Sequence, residues 1–168
     1  MIGEVTLSSG QRASYYVDAR RALLRPAGFL AAGELIAATA TEADAEAVGG
    51  PVMAAIPLAC AAIAVPAGDG LAGFFVRKER KEHGLQRWCE GPVEAGSKCL
   101  VVEDTVTTGG STIAAIERMQ DEGLDIVGAL VVVDRLSGGS EAIAEAAGVP
   151  CRTLVTIDDI YPDRPDRD

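Results

Sequence analysis

The sequence predicts an α/β domain in which a central, mainly parallel sheet is flanked by helices, because strands and helices alternate along its second half. The segments CLVV and IVGALVVV are apolar without interruption rather than at every second residue. A strand needs that pattern when helices cover both faces of its sheet. The 168 residues suffice for one core, and no linker or internal repeat divides them.

The first half of the chain is less regular, but its turn signals still locate the elements. Residues 3–7 and 14–18 alternate well enough for two short strands around the turn SSGQR. Pro26 opens a long alanine-rich helix. The pair Gly50–Pro51 then separates a strand from a buried helix.

The second half carries the pattern that predicts the parallel sheet. The segment LAGFFVR predicts a strand, and residues 78–96 predict a charged loop with glycine and proline punctuation. Beyond that loop we expect three strands, at 98–103, 126–133 and 151–155, and two intervening helices, at 111–122 and 140–147.

The charge balance bears on possible partners. The formal net charge is −10, and such a field repels nucleic acid and anionic membranes. There is no apolar run of the roughly 20 residues that a membrane span needs, and no signal-like segment begins the chain, so we expect a cytoplasmic protein without nucleic-acid or membrane partners. Two of the three lysines nevertheless lie in the run RKERKEH, which favours a locally held anionic ligand over a merely solvated charged turn.

Two acids, Glu103 and Asp104, follow the apolar strand that begins near Cys99. In an open parallel sheet, ligands bind beyond the carboxyl ends of the strands. Gly109 and Gly110 allow the backbone to approach a ligand closely, and the unpaired N–H groups of the next helix attract anions. Acids beside an anion site predict a ligand that carries both hydroxyls and phosphate, such as a phosphorylated sugar.

Other phosphate-binding sites are disfavoured by the same residues. No lysine precedes Ser111, as a Walker-type loop would require, and the dinucleotide fingerprint GxGxxG is absent. The simplest alternative is structural: the two acids would cap a loop, and the glycine pair would form a tight turn. The coincidence of apolar strand, acids and threonine–glycine turn favours a binding site.

Three segments resemble known motifs. VVEDTVTTGGS is similar to the phosphoribosyl-pyrophosphate (PRPP) motif of the type I phosphoribosyltransferases. FFVRKERKEHG resembles the mobile catalytic loop of one branch of that family, the orotate phosphoribosyltransferases, and LSSGQRASYYVD resembles the amino-terminal base-binding turn of that branch. The similarity runs from about residue 3 to about residue 154, nearly the whole chain.

The resemblance implies a reaction and a set of PRPP-binding residues. The reaction joins N1 of orotate to C1 of the ribose of PRPP, and it gives orotidine 5′-monophosphate and pyrophosphate in pyrimidine biosynthesis, with Mg²⁺ as the cofactor. Glu103 and Asp104 would bind the ribose hydroxyls, directly or through a nearby Mg²⁺, and loop cations would contact pyrophosphate. The implied PRPP-binding set is Arg77, Lys78, Lys81, His83, Glu103, Asp104, Thr105, Val106, Thr107, Thr108, Gly109, Gly110 and Ser111, of which Lys78, Lys81, His83 and Asp104 are the catalytic candidates.

The resemblance also implies a base site and a dimer. Thr107, Arg135, Tyr16 and Val17 map to orotate-binding positions, with Arg135 suited to pair with the carboxylate of orotate. The alternative for Arg135 is an ion pair with Asp134 at the end of the strand. In the family, the loop closes over the site of the partner subunit, so we expect a homodimer in which residues 77–84 complete the partner's site.

The expected organisation is a single phosphoribosyltransferase domain over residues 1–168. Residues 1–25 would form a small amino-terminal hood that binds the base, residues 77–92 the mobile catalytic loop, and residues 157–168 a flexible, polar and proline-rich tail.

The sequence departs from the family pattern on the base side. Ser8 stands where many members have lysine, and Met53 and Ala54 stand where they have tyrosine and lysine. These departures leave open a regulatory protein on the same scaffold that senses PRPP or nucleotides. A purine phosphoribosyltransferase is a further alternative, although it should lack the two segments that resemble the orotate branch.

Overall fold

Five parallel strands form the central sheet, in the order β4-β3-β7-β8-β9. The structure is a computed structural model that describes residues 2–6, 12–80 and 87–167. The longest strands, β7 and β8, lie at the centre, as their uninterrupted apolar sequences predict. The five strands span Ala47–Gly49 (β3), Ala72–Gly73 (β4), Lys98–Val106 (β7), Asp125–Asp134 (β8) and Cys151–Thr156 (β9).

Helices cover both faces of this sheet. On one face, α2 and α3 pack against Leu100, Val102 and Leu130. On the other, α4 and α5 pack against Val101 and Val131. Neighbouring residues of β7 therefore enter different cores. The helices span Arg20–Leu23 (α1), Pro26–Glu42 (α2), Ala55–Ala64 (α3), Gly110–Asp121 (α4), Gly139–Ala147 (α5) and Ile157–Ile160 (α6), with a short 3₁₀ turn at Pro66–Gly68.

Two small antiparallel pairs lie outside the central sheet. β1 (Ile2–Thr6) pairs with β2 (Arg12–Tyr15), close to the two predicted amino-terminal strands. β5 (Phe75–Val76) pairs with β6 (Cys89–Glu90), and the N–H of Arg77 donates to the carbonyl of Trp88 at 2.9 Å. The second pair joins the two ends of the segment that resembles a catalytic loop.

Three strand predictions need correction. The segment LAGFFVR is not one strand, because β4 joins the central sheet through β3 whereas β5 pairs with β6, and buried Phe74 separates them. The predicted charged loop contains β6. The strand predicted to end at Glu103 continues to Val106, because β8 continues to pair with it as far as Asp134.

The carboxyl-terminal segment has defined contacts. Ile157 is fully buried, and Thr156 and Asp159 form a reciprocal cap at the start of α6. Arg164 forms ion pairs with Asp158 and Asp166. The expected flexibility of residues 157–168 stays a prediction. Within the described part of the chain, no helix is long and apolar enough to cross a membrane.

Candidate active site

A cavity of about 920 Å³ lies where β7 and β8 end. Parallel pairing brings these two strand ends together, with Val106 opposite Asp134. The cavity also reaches the segment after β2 and the residues that precede α3. Its lining comprises Tyr16, Val17, Asp18, Ala19, Arg20, Leu24, Met53, Ala54, Ile56, Pro57, Asp104, Thr105, Thr107, Thr108 and Arg135. Sugar-binding and base-binding candidates from three separate segments thus share one cavity.

The two predicted acids have different surroundings. Asp104 is half-buried and lines the cavity. Glu103, only 5% exposed, accepts hydrogen bonds from the hydroxyls of Thr112 at 2.7 Å and Ser111 at 3.4 Å, in the first turn of α4. This divergence follows from the strand, in which successive side chains point to opposite faces.

Burial raises the pKa values of both acids. For Glu103 it raises the pKa to about 7, and the charge of Asp104 adds to the rise, while the hydrogen bonds from Thr112 and Ser111 oppose it. Burial also raises the pKa of Asp104, against the influence of the N–H of Thr105 and the positive charge of Arg20. Asp104 therefore supplies the cavity wall with a carboxylate that cationic or hydroxyl-bearing ligands would help to keep ionised.

The threonine–glycine loop is held by close packing against α5. Gly109 has φ 78° and caps α4, and a Cβ atom there would lie 2.9 Å from the carbonyl oxygen of Gly139. Gly110 differs, since a Cβ atom there would meet nothing within 4 Å. Thr107 and Thr108 are exposed and line the cavity. A tightly packed glycine followed by open space leaves the first N–H groups of α4 accessible to an anion.

Arg135 lines the same cavity as Tyr16 and Val17, and it stacks on an aromatic ring. Its guanidinium carbon is 4.9 Å from the centre of the Tyr15 ring. Its Nε is buried and has no hydrogen-bond partner among the described residues. The alternative ion pair with Asp134 is absent from the described contacts; the carboxylate of Asp134 accepts the N–H of Leu136 at 2.7 Å. Arg135 thus has unused donor capacity beside the cavity.

Sequence reasoning missed a second cation on this side. Arg20 lines the cavity, donates to the hydroxyl of Tyr16 at 3.1 Å and pairs with Asp18 at 2.9 Å. Tyr16 and Val17, the candidates for contact with the base, also line the cavity. The available signal was proximity in sequence, since Arg20 follows Tyr16 by four residues and the intervening segment leads directly into α1.

The described part of the predicted catalytic loop lies apart from this cavity. Arg77 and Lys78 line a separate hollow of about 290 Å³. Arg77 lies 3.6 Å from Glu90 and donates to the carbonyl of Glu79 at 3.2 Å. Lys81 and His83 lie outside the described residues, as does Ser8. Within one subunit, Arg77 and Lys78 are not among the residues that line the larger cavity.

The two ends of this loop are fixed to α4 by contacts that the sequence did not predict. The guanidinium of Arg118 lies 4.4 Å from the Trp88 ring centre and donates to the carbonyl of Arg77 at 3.0 Å. The carboxylate of Glu122 accepts the N–H groups of Trp88 and Cys89. Arg118 in the last turn of α4 and Glu122 at its end therefore hold both ends of the β5–β6 connection.

The two departures from the family pattern that the structure describes lie in the cavity wall. Met53 is 79% exposed and Ala54 is half-buried, and both line the cavity. They supply apolar surface where family members carry tyrosine and lysine. Among the described residues that line the cavity, Arg20 and Arg135 are the cations, and both come from other segments.

The donors available for a metal are few. Among the described residues, no group of three or more His, Cys, Asp or Glu side chains is arranged to hold an ion. Asp104 and the threonine hydroxyls of the cavity are hard oxygen donors, which suit Mg²⁺. They fit a Mg²⁺ ion whose other ligands are substrate oxygens and water, which is the usual mode for this ion.

Comparisons with known proteins agree with this geometry. A family model described as a phosphoribosyl transferase domain matches residues 25–161. An orotate phosphoribosyltransferase of Corynebacterium glutamicum is 45% identical over 158 residues, covering 94% of this chain and 85% of that protein. The crystal structure of Mycobacterium tuberculosis orotate phosphoribosyltransferase with Fe(III) dicitrate superposes with a TM-score of 0.83 at 43% identity, covering 95% of this chain and 90% of that one.

A second Mycobacterium tuberculosis structure, in complex with PRPP, gives a TM-score of 0.80 at 39% identity over 95% of this chain and 90% of that one. The sheet, the cavity at its carboxyl edge and the family match together define the phosphoribosyltransferase class. Within that class, the chain belongs to the orotate phosphoribosyltransferase family.

Proposed function

We propose that this protein transfers the 5-phosphoribosyl group of PRPP to N1 of orotate, giving orotidine 5′-monophosphate and pyrophosphate. The observation that best supports this proposal is the shared cavity. Its wall combines the sugar-binding candidates with the segment that contains Tyr16 and Val17 and with Arg135. The sugar-binding candidates in this wall are Asp104, Thr105, Thr107 and Thr108. The relatives at 42–45% identity are named for this activity, and one solved relative holds PRPP.

On the sugar side, Asp104 is the acid placed to accept hydrogen bonds from ribose hydroxyls, because it lines the cavity. The residues from Thr105 to Ser111 surround the 5′-phosphate with hydroxyls and with the first N–H groups of α4. Rigid anchoring at the 5′ end orients C1 of the ribose toward the base. Glu103 helps to fix the start of α4 beside the phosphate, because its carboxylate accepts hydrogen bonds from Thr112 and Ser111.

On the base side, Arg135 donates to the carboxylate of orotate, while Tyr16 and Val17 contact the pyrimidine ring and Thr107 adds a hydroxyl. An arginine and a carboxylate make strong paired hydrogen bonds in a partly desolvated site. Asp104, on the other side of the ribose, carries negative charge near the ring on which positive charge develops during transfer.

The departing pyrophosphate needs cations, and Arg77, Lys78, Lys81 and His83 are the proposed source. Because Arg77 and Lys78 lie apart from the cavity of their own subunit, we propose a homodimer in which residues 77–84 complete the partner's site. Mg²⁺, bound by pyrophosphate and ribose oxygens near Asp104, would supply further charge neutralisation when present. The cytoplasmic location stays a prediction from the sequence.

The experiment is a direct assay that follows orotate absorbance in the presence of PRPP and Mg²⁺. Adenine, hypoxanthine and uracil are tested in parallel, because a purine phosphoribosyltransferase would consume one of the first two instead. We expect consumption of orotate that depends on PRPP. Folded protein that binds PRPP but consumes none of the four bases would support a regulatory protein on the same scaffold.

A further inference from the structure

Tyr15 is not among the residues proposed to touch the base, yet it is 4% exposed and has contacts on two sides. The guanidinium carbon of Arg135 lies 4.9 Å from the centre of the Tyr15 ring. Its hydroxyl donates to the carboxylate of Asp166 at 3.0 Å, although Asp166 lies 151 residues further along the chain. Tyr15 therefore connects the carboxyl-terminal segment to the arginine that faces the base.

The carboxyl-terminal segment fixes the position of Tyr15 through several contacts. The ring of Tyr161 meets that of Tyr15 edge to face, with the ring centres 5.5 Å apart and the planes at 86°. Arg164, whose side chain is 9% exposed, pairs with Asp166 at 3.2 Å and with Asp158. The carboxylate that accepts from Tyr15 is thus itself held by a largely buried arginine.

Arg135 needs such support because little else holds it. Its backbone N–H donates to the carbonyl of Val106 at 3.0 Å, but its buried Nε has no partner among the described residues. A guanidinium over an aromatic face is held in one plane and keeps its edge free for a paired acceptor. Recognition of a carboxylate by two parallel hydrogen bonds depends on that plane.

We infer that Tyr15, Asp166 and Arg164 are positioning residues for Arg135, so that the carboxyl-terminal segment contributes to selection of a pyrimidine that carries a carboxylate. The inference rests on the proposed function, in which Arg135 contacts orotate. It assigns a role in specificity to the segment for which the sequence predicted only a flexible tail.

The test compares two nucleotides that differ only in the carboxylate, orotidine 5′-monophosphate and uridine 5′-monophosphate, by calorimetric titration. Both carry the same sugar phosphate, so the ratio of their dissociation constants reports the carboxylate contact. We expect wild type to favour orotidine 5′-monophosphate by about tenfold or more, as a charge-assisted pair of hydrogen bonds provides. Tyr15→Leu should reduce that preference to about twofold with little change for uridine 5′-monophosphate.

Asp166→Asn provides a second variant that leaves the Tyr15 ring in place, and we expect it to reduce the preference by about threefold. Asp163→Asn is the matched control, because Asp163 is an exposed carboxylate of the same segment outside this set of contacts. An unchanged preference in both test variants, or equal weakening of both nucleotides, would overturn the inference. Absence of orotate turnover by wild type would instead refute the proposed function.

Discussion

At the scale of single residues, the two neighbouring acids of β7 differ in role. Asp104 opens into the cavity, whereas Glu103 accepts from Thr112 nine residues ahead. The sequence predicted both acids at the site, but it could not predict this division. Which acid faces α4 depends on how the helix packs against the strand, and this is a tertiary property that no local pattern encodes.

Glu103 provides a pH prediction. Its pKa is raised by burial to about 7, so the folded protein retains a proton that the unfolded chain releases at lower pH. The stabilising contribution of this group is therefore fully present below about pH 4.5 and is lost as the pH rises through about 7. Gln does not titrate, so the difference in free energy of unfolding between Glu103→Gln and wild type should depend on pH. We expect this difference to shift in favour of the variant by about 3 kcal/mol between pH 4 and pH 8.

The measurement is urea unfolding of wild type and Glu103→Gln, without PRPP or metal, at several pH values across that range. Asp104→Asn serves as the comparison, because its carboxylate lines the cavity and its pKa is raised by a less complete burial. A stability difference between wild type and Glu103→Gln that is the same at all pH values would contradict the assignment.

At the scale of elements, the alternation of strands and helices was predictable, and the pairing of the short strands was not. The apolar runs of β7 and β8 are long enough to identify buried strands from sequence alone. The segment LAGFFVR has a strand-like composition, but its two halves pair with different partners, β3 and β6. Composition reports that a segment is extended; it does not report which strand lies beside it.

Two adjacent glycines in the loop before α4 should respond differently to the same substitution. Gly109→Ala places a Cβ atom on a residue with φ 78° and 2.9 Å from a backbone oxygen, so we expect a loss of about 1–2 kcal/mol in stability. Gly110→Ala meets nothing within 4 Å, so the melting temperature should stay close to that of wild type.

Binding separates the two variants further. If the open space at Gly110 is where the 5′-phosphate lies, Gly110→Ala should weaken PRPP binding about tenfold or more without loss of stability. Thermal unfolding and calorimetric titration with PRPP measure the two quantities independently. A stable Gly110→Ala variant with unchanged PRPP affinity would place the phosphate elsewhere in the cavity.

At the scale of the whole molecule, the proposed homodimer makes a prediction about mixed subunits. Lys81→Ala should mainly lower turnover, and Asp104→Asn should weaken the binding of PRPP, so each variant alone is impaired. If the loop acts across the interface, a mixed dimer of the two has one intact site and one doubly altered site. Random exchange of equal amounts should then restore about a quarter of wild-type activity.

The reciprocal mixture is the control. A chain carrying both substitutions, mixed with wild-type chains, gives mixed dimers without an intact site if the loop acts across the interface. If the loop acts within its own subunit, the same dimers keep one intact site. Because about a quarter of the dimers in this second mixture are wild type, its activity should be about a quarter of wild type if the loop acts across the interface and about half if the loop acts within its own subunit. About half of wild-type activity in the second mixture, with none in the first, would show that each loop serves its own subunit.

The hydrogen bond between Tyr15 and Asp166 has a practical consequence for handling the protein. It brings the carboxyl-terminal segment against Tyr15, which precedes the cavity-lining residue Tyr16. An affinity tag or fusion partner joined after Arg167 would be separated by one residue from Asp166, which makes this bond. Kinetic work should therefore use protein from which a carboxyl-terminal tag has been removed, and a tag that alters orotate affinity would itself be informative about this end of the chain.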